Sequence, residues 1–320
     1  MIIMNICGGL GNQMFQYAAG RRLALHRGTE LKLDLTGYRD GAEARPTELA
    51  AFRRPVRLND LNIVAAAASD REIFRLRDRF IARSTRDRLV RRVRRYIKSD
   101  FLWPPSHIVE RQYRFEPHIL DLPDNVYLEG FWQSWKYFSD IASTIRQEFR
   151  MKDPAIADHA KNYLQQLRQN ANGSELVSLH WRRGDLAHAV DTLGKAQLVY
   201  GGPVGLEYIL AAIRRFDAAT HFLVFSDTPK DIQWCRENIR ADWLEPARLH
   251  FSEGHTDLQD MALMSACDHH IIANSTFSWW SAWLDDSPGR RVIAPGRWSS
   301  PAASKQMPVD DLVPPDWEII

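Results

Sequence analysis

The chain is poor in several features, and each shortage excludes something. No run of 18 or more apolar residues occurs, so no segment is expected to span a membrane. Cysteine is scarce: Cys7, Cys235 and Cys267 are odd in number and widely spaced. They offer no disulfide framework and no zinc-ligand spacing, fit a reducing compartment, and read as core residues. The stretch Met1 to Cys7 contains no basic residue and only a short apolar run, which predicts a buried strand, not a signal peptide. The net charge of +2 gives no bulk attraction to nucleic acid. Internal repeats and low-complexity tracts are absent as well.

What is present suits an ordinary globular protein of two domains. A chain of 320 residues is long for one domain and sufficient for two of about 150. The expected division is 1–150 and 151–320. Met1 to Cys7 reads as a strand, Gly8 to Asn12 as a glycine-rich turn, Met14 to Arg27 as a helix and Glu30 to Leu35 as a second strand. After the turn signal Asn170 to Ser174 the alternation becomes regular. Strands are predicted at Leu176–His180, His221–Phe225, Arg248–Ser252, His269–Asn274 and Arg291–Ala294. Helices are predicted at 205–217, 229–241, 256–267 and 276–285. Thr228 before Pro229 marks one helix start, and Thr256 with Gln259 forms a capping-box pattern at another. Alternating strands and helices predict parallel sheets covered on both faces.

In such folds ligands bind beyond the carboxyl ends of the strands, and four segments stand there. The first is Gly8-Gly9-Leu10-Gly11-Asn12-Gln13. Its Gly9-x-Gly11 resembles a dinucleotide fingerprint, but Met14 occupies the third glycine position. A tight structural turn is the alternative. The second is His180-Trp181-Arg182-Arg183-Gly184-Asp185. A planar guanidinium leaving a buried strand suits bidentate contact with phosphate oxygens; a pair of solvated loop arginines is the alternative. The third is Phe225-Ser226-Asp227-Thr228, where Asp227 either caps the next helix or meets a ribose or base. The fourth, Asn274-Ser275-Thr276-Phe277, opens a helix whose free N–H groups make an anion site. The chain contains no Asp-x-Asp, the pair that many sugar-nucleotide transferases use to hold a divalent metal on the diphosphate. Fixed positive charge must then neutralise the leaving group, with Arg182 and Arg183 the candidates.

Taken in order, Gly8 to Tyr17, His180 to Asp185, Phe225 to Asp227 and Asn274 to Trp280 resemble the bacterial α-1,2-fucosyltransferases of glycosyltransferase family 11. The segment Phe131-Trp132-Gln133-Ser134-Trp135-Lys136-Tyr137-Phe138 is similar to another family segment. The resemblance implies a GT-B-type α/β fold, two open Rossmann-like domains facing across a cleft. The N-terminal domain would lie on the acceptor side and the C-terminal one would bind GDP-fucose. It implies inverting, metal-independent transfer of L-fucose from GDP-β-L-fucose to the 2-hydroxyl of a galactose residue, on an O-antigen or similar glycan, with no cofactor. It places Arg182 on the donor diphosphate, His180 against the nucleotide, Asp260 on guanine, and Ser275 and Thr276 near the phosphates. Asn12 would point into the catalytic cleft. Gly11, Gln13, Arg183, Ser226, Asp227, Asn274 and Phe277 are carried over as donor-binding.

The general base is not identified by the resemblance. Asp185 is the first candidate, with a structural role for it as the alternative, and His188 and Asp191 follow on the same loop. Trp132 and Trp135 are candidates for stacking on acceptor sugars, with core packing as the alternative. Residues 71–98 carry twelve basic and three acidic residues along an apolar helical stripe. They read as a solvated helix of a cytoplasmic enzyme or as a surface resting on the inner face of an anionic membrane, where a lipid-linked acceptor would be met. Two other functions compete. A nicotinamide-dependent oxidoreductase would use Gly9-x-Gly11 with Asp34 as its ribose acid. A non-catalytic sugar-nucleotide-binding or membrane-associated regulatory protein would keep the anion site without a base.

Overall fold

The computed structural model describes residues 1–39, 55–77, 106–183, 202–299 and 308–320. Its packing divides the chain into two compact units. The first is Met1–Asn59 with Ile63–Glu148; the second is Phe149–Ile320 with the short piece Asp60–Asn62.

The first unit begins with strand β1 (Ile2–Asn5), helix α1 (Leu10–His26) and strand β2 (Leu31–Asp34). Strand β3 (Ala66–Ala67), helix α2 (Asp70–Leu76), strands β4 (His107–Val109) and β5 (Val126–Glu129), and helix α3 (Ala142–Glu148) follow. The strands form one sheet in the order β3-β2-β1-β5-β4, and every neighbouring pair is parallel. The expected turn at Gly8 to Asn12 is shorter than the glycine spacing suggested. Helix α1 starts at Leu10, so Gly11 and Asn12 lie in its first turn, and Asn12 and Gln13 both donate backbone N–H bonds to the Gly9 carbonyl at 3.0 Å. Strands β4 and β5 have no counterpart in the sequence reading. The aromatic stretch from Val126 hides an apolar central strand, all but its last residue buried.

The second unit opens with helix α4 (Pro154–Asn170), then β6 (Leu176–His180), α5 (Leu206–Ile213), β7 (His221–Phe225), α6 (Pro229–Asn238) and β8 (Leu249–Phe251). It continues with α7 (Asp257–Ser265), β9 (His269–Ile271), α8 (Thr276–Leu284), β10 (Val292–Ala294) and β11 (Glu318–Ile319). All the predicted strands form, with β8, β9 and β10 shorter than expected, and β11 is added at the edge. The order is β11-β10-β9-β6-β7-β8, again parallel throughout. The predicted caps are in place. Thr228 accepts the Asp231 N–H, and Thr256 and Gln259 close a capping box.

Alternation along the strands builds two cores, one on each face of this sheet. Val177, Leu179, Phe222 and Val224 pack with Ile209 and Ile213 of α5 and Cys235 of α6. Leu176, Leu223 and Phe225 pack with Leu164 of α4 and Leu263, Met264 and Cys267 of α7. Burying a side chain of this size contributes about 1.5–3 kcal/mol, so coverage on both faces accounts for the near-continuous apolar runs in these strands. Cys235 and Cys267 are core residues as read; Cys7 differs, being half-buried at the end of β1.

Candidate functional site

Each sheet has one place where its strand order reverses. In the second unit the chain runs from β6 to β7 and β8 on one side, then returns to place β9, β10 and β11 on the other. The crevice between β6 and β9 is the topological switch point, where open α/β sheets bind ligands beyond the strand ends. The His180–Arg183 and Asn274–Phe277 segments leave these two strands at that crevice. The His180 ring lies 6.1 Å from the Phe277 ring.

The alternation of β6 continues past its end and separates the two arginines. Trp181 and Arg183 turn to the α5/α6 face. The Arg183 guanidinium stacks on Trp234, 3.3 Å from the ring centroid, and lies 4.0 Å from Asp231. Its backbone N–H donates to Asp227 at 2.9 Å. His180 and Arg182 belong to the opposite face, and the Arg182 charge acts on the His180 ring. Burial, reinforced by that charge, pushes the His180 imidazole down to about 3, so it is neutral, and its Nδ1 is buried without a hydrogen-bond partner among the described residues. The Arg183 side chain is thus packed on an indole, in surroundings different from those of Arg182.

Neighbouring strand ends add further groups. The Ser226 hydroxyl donates to the Trp181 carbonyl at 2.7 Å, tying the ends of β6 and β7 together. Asp227 is exposed and is not the helix cap; Thr228 takes that place. Asn274 is buried and its Nδ2 donates to the Gly202 carbonyl at 2.9 Å. Ser275 is the N-cap residue of α8, but its side chain makes no capping bond. The first intrahelical bond runs from the Trp279 N–H to the Ser275 carbonyl. The N–H groups of Phe277 and Ser278 consequently lack carbonyl acceptors within the helix, the arrangement that favours an anion.

Beyond β8, Ser252 donates to Asp260 at 2.6 Å and lies 2.8 Å from His255 Nδ1. Tyr163 and His159 of α4 each place a ring 5.1 Å from His255. Burial pushes the Asp260 carboxyl up to about 6, the Ser252 bond opposing and Asp257 adding to the rise. The sequence reading did not single out this ring cluster, because His159 and Tyr163 lie about 100 residues from Asp260 in the chain.

The first unit has its own switch point, between β1 and β5. The Gly8–Asn12 and Gly130–Gln133 segments leave these strands and meet there. Gln133 Nε2 donates to Asn12 Oδ1 at 2.9 Å. The sequence reading carried Gln13 over as donor-binding, and the structure places its side chain inside the loop scaffold. Gln13 is fully buried; its Nε2 donates to the Gly8 and Pro55 carbonyls at 2.9 and 2.8 Å, and its Oε1 accepts the Arg57 N–H. These bonds fix the loop and leave Gln13 no access to a ligand. Trp132 is fully buried against Tyr137, with ring centroids 5.8 Å apart, so it is a core residue and offers no face to a sugar. Trp135 is half-buried. Asp34, the ribose acid of the nicotinamide reading, is fully buried and accepts from Tyr127 and Thr36, which removes that reading's anchor.

Asp185, His188 and Asp191 lie outside the described residues, as do 78–98. Among the described residues no helix is long and apolar enough to cross a membrane, and no group of three or more His, Cys, Asp or Glu is placed to hold a metal ion.

Comparison with known proteins agrees with the motifs. An Escherichia coli alpha-1,2-colitosyltransferase is 30% identical over 302 residues, covering 93% of this chain and 92% of the relative. The O-antigen biosynthesis glycosyltransferase WbnK of Escherichia coli is 28% identical, covering 96% of this chain and 98% of that one. The galactoside 2-alpha-L-fucosyltransferase SEC1 of Bos taurus is 31% identical over 57% of this chain, which spans about half (48%) of that relative's length. Among solved structures, the fucosyltransferase NodZ from Bradyrhizobium aligns over 88% of this chain and 91% of its own at 16% identity, with a TM-score of 0.42. The sequence profile described as glycosyl transferase family 11 matches residues 90–320. The chain belongs to glycosyl transferase family 11, and it is a glycosyltransferase.

Proposed function

We propose that this glycosyltransferase moves L-fucose from GDP-β-L-fucose to the 2-hydroxyl of a galactose residue, with inversion, on an O-antigen or similar glycan. The observation that carries the reading is the meeting of the His180–Arg182 and Asn274–Phe277 segments at the β6/β9 switch point. A guanidinium and the N-terminus of α8 are the positive elements there, and a departing nucleoside diphosphate needs positive charge as its bond breaks. In this reading Arg182 takes the β-phosphate, Ser275 and Thr276 the neighbouring oxygens, and His180 packs neutral against the nucleotide. Asp260 accepts from guanine within its ring cluster. The second unit holds the donor, the first unit the acceptor, and Asn12 faces the reacting sugar. Asp185 takes the acceptor's proton, with His188 and Asp191 as the alternatives, and Trp135 supports the acceptor sugar.

A second reading keeps the 2-linked transfer and changes the sugar. The name of the Escherichia coli relative aligned over 93% of the chain specifies a colitosyl group. A donor panel of GDP-fucose, GDP-colitose and GDP-mannose, offered with lactose, lacto-N-biose and a lipid-linked oligosaccharide, decides between them. The leading reading expects GDP-fucose to be used fastest and NMR of the product to show an α-1,2 linkage. Preference for GDP-colitose, or another linkage, replaces it. Neutralisation by Arg182 needs no metal, so turnover is expected to survive excess EDTA. Loss with EDTA and recovery with Mg²⁺ or Mn²⁺ would refute that part.

A further inference from the structure

The β1/β5 crevice holds an arrangement that simple packing does not require. Gln133 is buried and reaches across the crevice to Asn12, its Nε2 donating to Asn12 Oδ1 at 2.9 Å. With its oxygen engaged, the Asn12 amide turns its nitrogen toward Gly8; a Cβ at Gly8 would stand 2.7 Å from Asn12 Nδ2. Gly8 has φ +79°, so it supplies both the left-handed turn and the space for that nitrogen.

The turn carrying Gln133 is itself held under constraint. Trp132 has φ +55°, a conformation that a bulky residue keeps only when its surroundings enforce it. Glu110, just past β4, supplies the enforcement. Its Oε2 accepts the Phe131 N–H at 2.6 Å and its Oε1 the Trp132 N–H at 3.2 Å. At Gly130 a Cβ would collide with the Glu110 side chain. Gln16 of α1 donates to the Gly130 carbonyl at 3.0 Å, so the turn is tied to the same helix that carries Asn12. A strained turn clamped at both ends, whose next residue grips a motif side chain, points to a geometric requirement at that side chain.

We propose that Gln133 is a positioning residue for the transfer: it fixes the Asn12 amide with its nitrogen toward Gly8, and Glu110 clamps the turn from which Gln133 reaches. An amide so oriented presents its nitrogen, not its oxygen, on the Gly8 side of the crevice. The inference rests on the reading that Asn12 faces the reacting sugar.

The test compares Asn12→Ala, Gln133→Met, Gln133→Glu and the Asn12→Ala/Gln133→Met double variant. Each is measured for kcat with GDP-fucose and a galactoside, for Kd of GDP alone, and for melting temperature. Gln133→Met keeps the packing volume and loses the bond. Gln133→Glu keeps the size, but a carboxylate accepts where the amide donated, so the Asn12 amide is turned around. Both single changes at 133 are expected to lower kcat by about tenfold to a hundredfold, the scale of a misplaced group near the reacting atoms. GDP affinity should stay within about twofold, because the Arg182 and α8 groups are untouched. The double variant should be no worse than Asn12→Ala, as residues acting through one contact are not additive. A Gln133→Glu protein that melts normally yet turns over slowly separates positioning from stability. If Asn12→Ala is impaired while both Gln133 variants keep near-normal kcat, or if the double variant's loss is the product of the single losses, the brace is wrong and the role of Asn12 stands. If Asn12→Ala itself turns over normally, the reading of Asn12 fails and the proposal fails with it.

Discussion

Arg182 and Arg183 are adjacent in sequence and opposite in surroundings. The indole of Trp234 holds the second, and the first shares the side of His180. Arg182→Lys keeps the charge and loses the planar fork. It is expected to lower kcat by roughly 100- to 1000-fold, the effect of losing about 3–4 kcal/mol of leaving-group stabilisation. Arg183→Met should instead lower unfolding stability by about 1 kcal/mol, the scale of a cation–π contact, with a smaller effect on turnover. Steady-state kinetics and urea unfolding of both variants check this; equal kinetic losses would show that the two arginines share one role. Asp260 carries a pH prediction. Its folded carboxyl, raised from 3.8 to about 6, must be ionised to accept from guanine. GDP affinity should therefore fall as the pH drops through about 6, by about tenfold one unit below it. The same shift means the folded state holds the proton more tightly than the unfolded one, so this group's contribution to stability declines as pH rises from 3.8 to about 6. Titration of GDP affinity from pH 5 to 7.5, with Asp260→Asn alongside, separates Asp260 from His255, His159, Tyr163 and Asp257 around it. A pH-independent affinity in the wild type would rule the contact out.

At the scale of elements, the strands of the second sheet are joined by more than backbone bonds. Ser178 of β6 and His270 of β9 are neighbours at 2.8 Å, and His270 Nε2 reaches Asp285, just past α8, at 3.0 Å. The order Ser-His-Asp suggests a nucleophile, but all three are buried and no substrate reaches them. They hold the β6/β9 crevice and α8 in register. Burial lowers the His270 imidazole against the pull of Asp285. Burial alone would raise the Asp285 carboxyl, but hydrogen bonds from His270 and Ser287 outweigh it and hold it low. Both groups bind fewer protons folded than unfolded, so their contribution to stability is lost as the pH falls, starting near the 6.5 of an unperturbed histidine. Asp285→Ala leaves His270 Nε2 buried and unpaired and should destabilise the protein by about 1–3 kcal/mol. A urea midpoint indistinguishable from wild type would mean that the three residues are not a structural unit.

For the whole molecule, the basic stretch 71–98 is the feature that bears on location. Its first turn is now placed: α2 carries a Ser69/Glu72 capping box, and Ile73 and Leu76 pack with Ile3 and Tyr127 on the first sheet. Arg77 lies 5.4 Å from the Tyr127 ring centroid and 3.5 Å from Asp34. That part of the apolar stripe belongs to the core. The membrane expectation accordingly falls on 78–98, where Arg91, Arg92, Arg94 and Arg95 would each contribute about 1 kcal/mol at an anionic surface. The membrane reading predicts sedimentation with anionic but not neutral vesicles, weakening with salt and reduced when these four become Gln; the solvated-helix reading predicts none. Absence of binding to anionic vesicles at low salt would end the membrane reading.

Local pattern determined much by itself. Strand and helix positions in the second unit, the Thr228 and Thr256 caps and the four segments at strand ends were legible because propensity, periodicity and capping act over a few residues. The motifs sufficed to identify the family. Strands β4 and β5 were not legible. His107–Val109 is too short to show a period, and Val126–Glu129 is apolar without alternation, so only pairing beside β1 distinguishes it from other buried segments. Gln13 and Gln133 look alike as motif glutamines. Burial beneath Gly8 and Pro55 commits one to the scaffold, and the β1/β5 crossover brings the other across about 120 residues to Asn12. Likewise Arg182 and Arg183 are interchangeable in a string, and their difference arises from which face of the sheet each one reaches. Chain order set the chemistry available to this protein. Only the tertiary structure, by pairing distant strands and choosing faces, decided which groups meet a ligand and which hold the others in place.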